Sequence, residues 1–369
     1  NSGETGLEFV DVATQAELDA HTSRTDNPHG VTAAQAGAVD KTGDTMQPMT
    51  DGVVLSINNT SGSTIWSVDT SANRMFLSDA NGNVFVGNGA GNGSVTGTDN
   101  VGIGSSALSS LTTGYGNFAL GGNSMKQATT AYRCMAVGNE TLVNLTTGAE
   151  NIAIGYGALN RVTTGSSNIG IGTYANYGIT TTTSNIAIGK QSMNNNAGWA
   201  NVGIGVQSGL YKTSGDLNTF IGFQAGYGNG VYSSASKNTL IGARAGRYIT
   251  SSSNDNVLIG YLSGYNIGTA STNTFIGSQS GYNAVGTTGC IFIGYQAGYS
   301  ETNSNRLYIA NSSTTTPLIY GEFDNRLIVV NGRLRVTDNS AAPVAGDIRF
   351  NTTTNKHEGY DGTTWYAMY

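Results

Sequence analysis

The residues with which this chain could do chemistry are a thin scatter of carboxylates, two N-terminal histidines, two cysteines and a set of tyrosines and tryptophans. Cleavage of a glycosidic bond needs two carboxyl groups roughly 5 to 9.5 Å apart. Between residues 83 and 299 the acids are only Asp99, Glu140, Glu150, Asp216 and Asp255, and no two are spaced to meet. There is no phosphate loop, no His-rich metal motif and no nucleophile elbow in a strand-to-helix setting. His21 and His29 lack ordinary zinc spacing and read as turn residues. Neither an enzyme nor a cofactor is expected. The residues left for recognition are aromatics near loops, namely Tyr232, Tyr360, Trp365 and Tyr366.

What positions them is a repeat. One phrase, Asn151-Ile152-Ala153-Ile154-Gly155 in its clearest form, recurs thirteen times from Asn83 to Cys290, mostly at 17-residue spacing. Asp99 and Glu150 share a phase of it but stand three repeats apart, or roughly 14 Å. Apolar residues at its second and fourth positions give the period of two that marks a strand. A coil of about 17 residues with two short strands and two turns is one rung of a β-solenoid or β-roll, and thirteen rungs at the usual strand spacing make a rod of roughly 60 Å. The leading Asn forms a ladder of side-chain amides, and the Gly marks a bend too tight for a Cβ.

The fourth position is aliphatic in every copy and is expected to face the buried stripe. Alternation then turns the third position outward. That position is small from Gly102 to Gly203 and becomes Phe220, Leu240, Leu258, Phe275 and Phe292. An outward stripe of that kind predicts cover by other copies of the chain, with subunit packing that changes between Gly203 and Phe220. Tyr227, Tyr265, Tyr282 and Tyr299 also recur at one phase, where they could stack on sugars but are expected to seal an edge or seam. Cys134 and Cys290 occupy the Asn slot nine rungs apart, roughly 43 Å, too far to bridge within one chain.

Composition agrees with a stacked β fibre. Charged residues are 11% of the 369, and 53 are glycine. The net charge is -6 and argues against a nucleic-acid binder. The acidity sits in the first 82 residues, 11 acids against 3 bases. No apolar run is long enough for a membrane helix and no signal peptide is recognisable. The chain does not begin with Met, so a fragment or a processed product is expected.

The pattern divides the chain into four segments: 1–50, 51–82, 83–299 and 300–369. In the first, Thr14-Gln15-Ala16-Glu17 is a capping box for a short helix and Thr32-Ala33-Ala34-Gln35 a second helical turn. In the second, residues 53–57, 64–68 and 75–77 read as strands, with Trp66 in a core. The longest insertion in the repeats lies between Gly222 and Asn238 and carries Tyr232. In the last segment residues 307–309, 318–320, 327–330 and 334–336 read as strands with a hairpin turn at Asp324-Asn325.

The stretch from His21 through Asn27-Pro28-His29-Gly30-Val31-Thr32 to Asp44-Thr45-Met46 resembles segments common in bacteriophage tail fibres. The ending, Gly346-Asp347-Ile348-Arg349-Phe350 through Asp361-Gly362-Thr363-Thr364-Trp365, is similar to the distal segment of many such fibres, after which a cleavable chaperone often stands. The repeat phrase resembles the head repeats of trimeric autotransporter adhesins, which form a β-roll packed as a trimer; the departures are the longer coil and the bulky third position from Phe220 onward. These resemblances imply a homotrimeric, extracellular virion fibre. Its N-terminal segment would join a tail or baseplate protein, and its distal end would adhere to a host glycan or outer-membrane receptor. They also raise a metal at His21 and His29 on a threefold axis as the lesser reading. The alternatives are a bacterial trimeric surface adhesin, disfavoured for want of a membrane anchor, and a solitary ice-binding solenoid, for which only Thr219, Thr239 and Thr274 share a phase.

Overall fold

The computed structural model describes residues 78–195, 198–211, 214–228, 234–332, 343 and 345–368, together with the backbone of three earlier strands. The chain divides into two compact units, Asn1–Val84 and Phe85–Tyr369. In the first, Val53–Asn58, Thr64–Asp69 and Arg74–Phe76 form an antiparallel meander with Ile57 opposite Trp66 and Val68 opposite Met75. These are the strands the turn residues between them predicted. The helical turns expected after Thr14 and Thr32, and the packing of Trp66, lie outside the described residues.

The second unit contains a β-solenoid. Thirteen three-residue strands, from Val84–Val86 to Ile291–Ile293, stack in parallel, one per coil of about 17 residues. Register tracks the repeat, so that Ile152, Ile169 and Ile186 lie opposite one another. Among the described residues the second strand expected in each coil is absent. Its place is taken by tight turns, closed in one coil by Ala107 N–H to Gly104 O (3.3 Å) and Leu111 N–H to Leu108 O (3.1 Å). Left-handed residues recur through every coil, as at Asp99 (φ 58°), Ser106 (58°) and Leu108 (54°), and a chain that reverses hand this often cannot stay extended. Only isolated bridges such as Tyr132 with Ala149 survive there.

Two ladders tie coil to coil, as the phrase predicted. Asn117 donates from Nδ2 to Asn100 Oδ1 (2.9 Å) and to Ala131 O (2.8 Å), while its backbone N–H also reaches Asn100 Oδ1 (3.1 Å). Each buried amide thereby bridges the coils on both sides, and the pattern repeats to Asn273. Beside it runs a column of glycines at φ near +130°. A Cβ on Gly104 would stand 2.5 Å from Gly121 O, and one on Gly205 2.5 Å from Gly222 O, so no side chain fits.

The faces of the strand are the reverse of those expected. Third-position residues point inward: Ala119, Ala136, Ala153, Ala187, Leu240, Leu258, Phe275 and Phe292 have no exposed surface. The second and fourth positions face out and are half-buried or exposed. The large residues from Phe220 onward therefore need no covering subunit. The sequence reading failed because it took hydrophobicity alone as the sign of the interior, and in a coil with one short strand the turns also fill the core.

They do so reciprocally. In the coils from Gly102 to Met193 the strand contributes Gly or Ala, and the residue four after the column glycine fills the space: Leu108, Met125, Leu142, Leu159 and Met193, all fully buried. From Phe220 on the strand supplies the bulk and that turn position becomes glycine. A Cβ on Gly226 would meet Phe220 at 2.5 Å and one on Gly298 would meet Phe292 at 2.5 Å. The changeover coil has glycine at both places, Gly203 and Gly209. Met193 from one side and Phe220 from the other fill it, each within 2.7 Å of where a Cβ would stand. Asn176 alone breaks the series, a fully buried amide without hydrogen-bond partners where its equivalents are apolar.

The ladder runs one coil beyond Tyr299. Arg306–Ile309 pairs in parallel with Ile291–Ile293, and Tyr308 takes the inward position. Ile319–Glu322 and Leu327–Val330 then add in antiparallel and end the sheet, with the expected turn at Asp324-Asn325. Ile348–Asn351, Lys356–Tyr360 and Trp365–Ala367 form a separate three-stranded meander. The strand expected at 334–336 lies outside the described residues.

Candidate functional site

Three surfaces present side chains that could engage a partner. The first is the outer face of the parallel sheet, where the fourth positions line up as an aliphatic column and the second positions as a mostly apolar one interrupted by Thr219, Thr239 and Thr274. Leu120, Met135, Ile204, Ile276 and Ile293 are 37–42% exposed there. Residues just after the column glycine, including Tyr156, Val206, Phe223, Tyr261 and Tyr295, are also exposed.

The second is the tyrosine column. Tyr265 and Tyr282 stack with centroids 4.8 Å apart and planes 10° apart, and Tyr282 and Tyr299 at 4.9 Å and 1°. In the coil between Tyr227 and Tyr265 the phase is held by Arg247, whose guanidinium lies 5.2 Å from the Tyr227 ring centroid and 5.9 Å from that of Tyr265. Arg247 also donates to Tyr265 Oη (3.0 Å). A hydrogen bond with Tyr248, together with that from Arg247, lowers the Tyr265 hydroxyl's pKa against the effect of burial, whereas burial raises that of Tyr282. The rings cover one another's faces, which favours the sealing role over an open sugar platform for all but the last.

The third is the C-terminal meander, which carries three of the four aromatics singled out from sequence. Tyr360 and Trp365 are cross-strand partners with ring centroids 5.1 Å apart. The Arg349 guanidinium sits 4.1 Å from the Trp365 centroid and pairs with Glu358 (2.9 Å), which also accepts from Asn351 (2.8 Å). Burial alone would raise the Glu358 pKa, but these donors outweigh it and hold the carboxyl below the usual range. Tyr366 pairs with Gly359, so alternation puts it on the opposite face, 58% exposed. The meander thus joins Tyr360 and Trp365 but not Tyr366. Tyr232 lies outside the described residues. Sequence reasoning missed Arg349 and Glu358, although their cross-strand pairing is implied by the hairpin register.

It also missed the polar closure of the solenoid. Glu301 stands seven residues after its column glycine, where earlier coils place Leu111, Leu145 or Ile249. Tyr308 donates its hydroxyl to Glu301 Oε2 (2.7 Å), and Tyr320 donates to Glu322 Oε1 (2.6 Å). The two rings meet edge to face at 5.4 Å. Burial and the Glu301 carboxylate push the Tyr308 hydroxyl pKa up strongly. The apolar-to-acid change at a fixed phase was the signal that could have shown it.

The remaining chemical candidates are accounted for within the coils. Cys134 and Cys290 are buried free thiols inside the Asn ladder; Asn151 N–H lies 3.5 Å from Cys134 Sγ and Arg306 N–H 3.4 Å from Cys290 Sγ, and burial pushes both thiol pKa values up. Among the described residues no three His, Cys, Asp or Glu side chains group as a metal site. His21 and His29 are outside those residues. Among the described residues no helix is long and apolar enough to cross a membrane. Comparisons with protein-family models, with curated proteins and with solved structures find no match.

Proposed function

We propose that the chain is the structural and host-recognition fibre of a bacteriophage tail, working as a homotrimer. In this reading the N-terminal segment joins a tail or baseplate protein, and the distal part adheres to a host-surface glycan or outer-membrane receptor without cleaving it. The observation that carries the trimer is the pair of largely apolar columns on the outer face of the sheet. Thirteen strands at ~4.8 Å spacing and roughly 10 Å width make a face on the order of 600 Å² per chain. That is at the upper limit of what a soluble monomer exposes, and the flanking aromatics widen it toward the ~800 Å² per partner of a stable interface. The tail-fibre identity itself rests on the resemblance of the N- and C-terminal phrases.

Light scattering on the native protein tests the assembly. A mass near three times 38.1 kDa is expected, falling toward the single-chain value when Ile154→Lys places a charge on the columns. A monomeric native protein overturns the assembly. Adhesion is tested with Trp365→Ala and Tyr366→Ala in correctly assembled fibre, in which loss of cell attachment is expected.

A further inference from the structure

The tyrosine column has an end. Tyr265, Tyr282 and Tyr299 stack in sequence, and among the described residues no ring stacks on the far side of Tyr299. There the next coil departs from the pattern, and a cleft of about 270 Å³ opens between Tyr299, Glu301, Tyr308, Ser313, Thr314 and Thr315. We propose that this cleft binds one uncharged pyranose unit, plain or N-acetylated, at the end of a glycan, with the sugar's apolar face on Tyr299 and its hydroxyls on Glu301 and the Ser/Thr rim. The inference rests on the receptor-binding reading and names the sugar class and the site within it.

Three features select that ligand. Tyr299 is stacked on Tyr282 and lines the cleft, so it offers an aromatic ring whose position is fixed by the rings behind it. Glu301 is equally fixed: Oε1 accepts from Asn303 N–H (2.7 Å), Asn303 Nδ2 (2.9 Å) and Thr302 N–H (2.9 Å), and Oε2 from the Tyr308 hydroxyl. Oε2, with a single protein donor, keeps capacity for a sugar hydroxyl. Burial would raise the Glu301 pKa, but these donors prevail and keep it ionised at neutral pH. No Lys or Arg lines the cleft, so a carboxylated or phosphorylated sugar would meet an uncompensated like charge. Drug-sized pockets run from ~300 to 1,000 Å³, so this volume suits a single terminal residue rather than a long chain segment.

Saturation-transfer NMR on the full chain tests this with methyl glycosides of glucose, galactose, mannose and N-acetylglucosamine, with glucuronic acid as the anionic control. Tyr299→Phe keeps the ring and Tyr299→Ala removes it; native mass and far-UV dichroism confirm that each variant is assembled. The expected result is transfer to at least one neutral pyranose, retained in Tyr299→Phe, weakened about ten-fold or more in Tyr299→Ala, and weak or absent for glucuronic acid. Transfer to no neutral sugar, equal transfer to Tyr299→Ala, or equal binding of glucuronic acid overturns the proposal. Adsorption of the same fibre to cells separates the two readings. Adsorption without pyranose transfer removes the cleft and leaves adhesion standing, whereas Tyr299-dependent transfer without adsorption leaves the cleft and removes adhesion.

Discussion

The coils from Gly102 to Met193 and those from Phe220 to Gly298 build the same core from opposite sides. In the first group the strand is small and a left-handed turn residue reaches in; in the second a Phe or Leu on the strand reaches across and the turn yields to glycine. What is held constant is the volume enclosed by a coil, not the residue that fills it. Close packing explains this, because a space fixed by backbone ladders on every side can neither shrink around a lost side chain nor expand around a gained one.

Exchanging the two solutions in one coil is the most direct way to break the comparison. Phe275→Ala is expected to cost about 3 to 5 kcal/mol through the cavity it leaves. Gly281→Leu overpacks the same coil against the Phe275 ring and is expected to cost at least about 3 kcal/mol. The double variant recreates the Ala136/Leu142 arrangement, so denaturant unfolding should recover about 2 kcal/mol or more beyond the sum of the single changes. Strictly additive losses would show that the halves are not interchangeable.

Next in size is the Asn ladder, common to both groups. Asn256→Ala removes two amide donors and an acceptor from buried partners and is expected to cost about 2 to 4 kcal/mol. Cys134→Asn restores an amide where the ladder passes through sulfur and should stabilise by roughly 1 kcal/mol in thermal unfolding. Asn176→Leu returns the first group's apolar filling to a position that Leu108 and Leu159 already hold at the same backbone angle. It is expected to raise stability by about 1 to 2 kcal/mol.

The smallest expected effect separates the coils from the C-terminal strands. Among the described residues the carboxyls held below their ordinary pKa are Glu301, Glu322, Glu358 and Asp361, all after the last full coil. A depressed folded-state pKa gives stability that is present above the unfolded value near 4.5 and lost as pH falls through the folded value. Acidification below pH 4.5 should therefore lower amide protection around Tyr308 and Glu358 while the coils, held by amides, stay protected. Glu301→Gln should flatten that dependence at Tyr308.

Much of the coil was legible because its ladders demand particular chemistry. The Asn amide donates to two groups and accepts along the stack, and only glycine survives beside a neighbour's carbonyl, so Asn and Gly recur visibly at their phases. The direction of the strand was not legible from the phrase, since both its faces are apolar and the core residues Leu108, Met125 and Leu142 lie in turns outside it. The paired signal was nevertheless present: wherever the third position carries Phe or Leu, the sixth residue on is glycine, as in Phe220/Gly226 and Phe292/Gly298. Of the candidate site, the Tyr299 column could be read as periodic, but its open end could not, because Glu301 and Tyr308 gain their meaning only once the coil after them changes course.

The coil between Asn218 and Asn238 is three residues longer than most, yet Asn238 Nδ2 still reaches Asn218 Oδ1 at 3.1 Å and their strands stay in register. The extra length leaves the register of the stack unchanged. The scaffold is therefore a ruler graduated in glycines: its reach changes only by whole graduations, gained or lost by duplication of a coil, while the loops hung from any graduation can be exchanged without altering the distance measured.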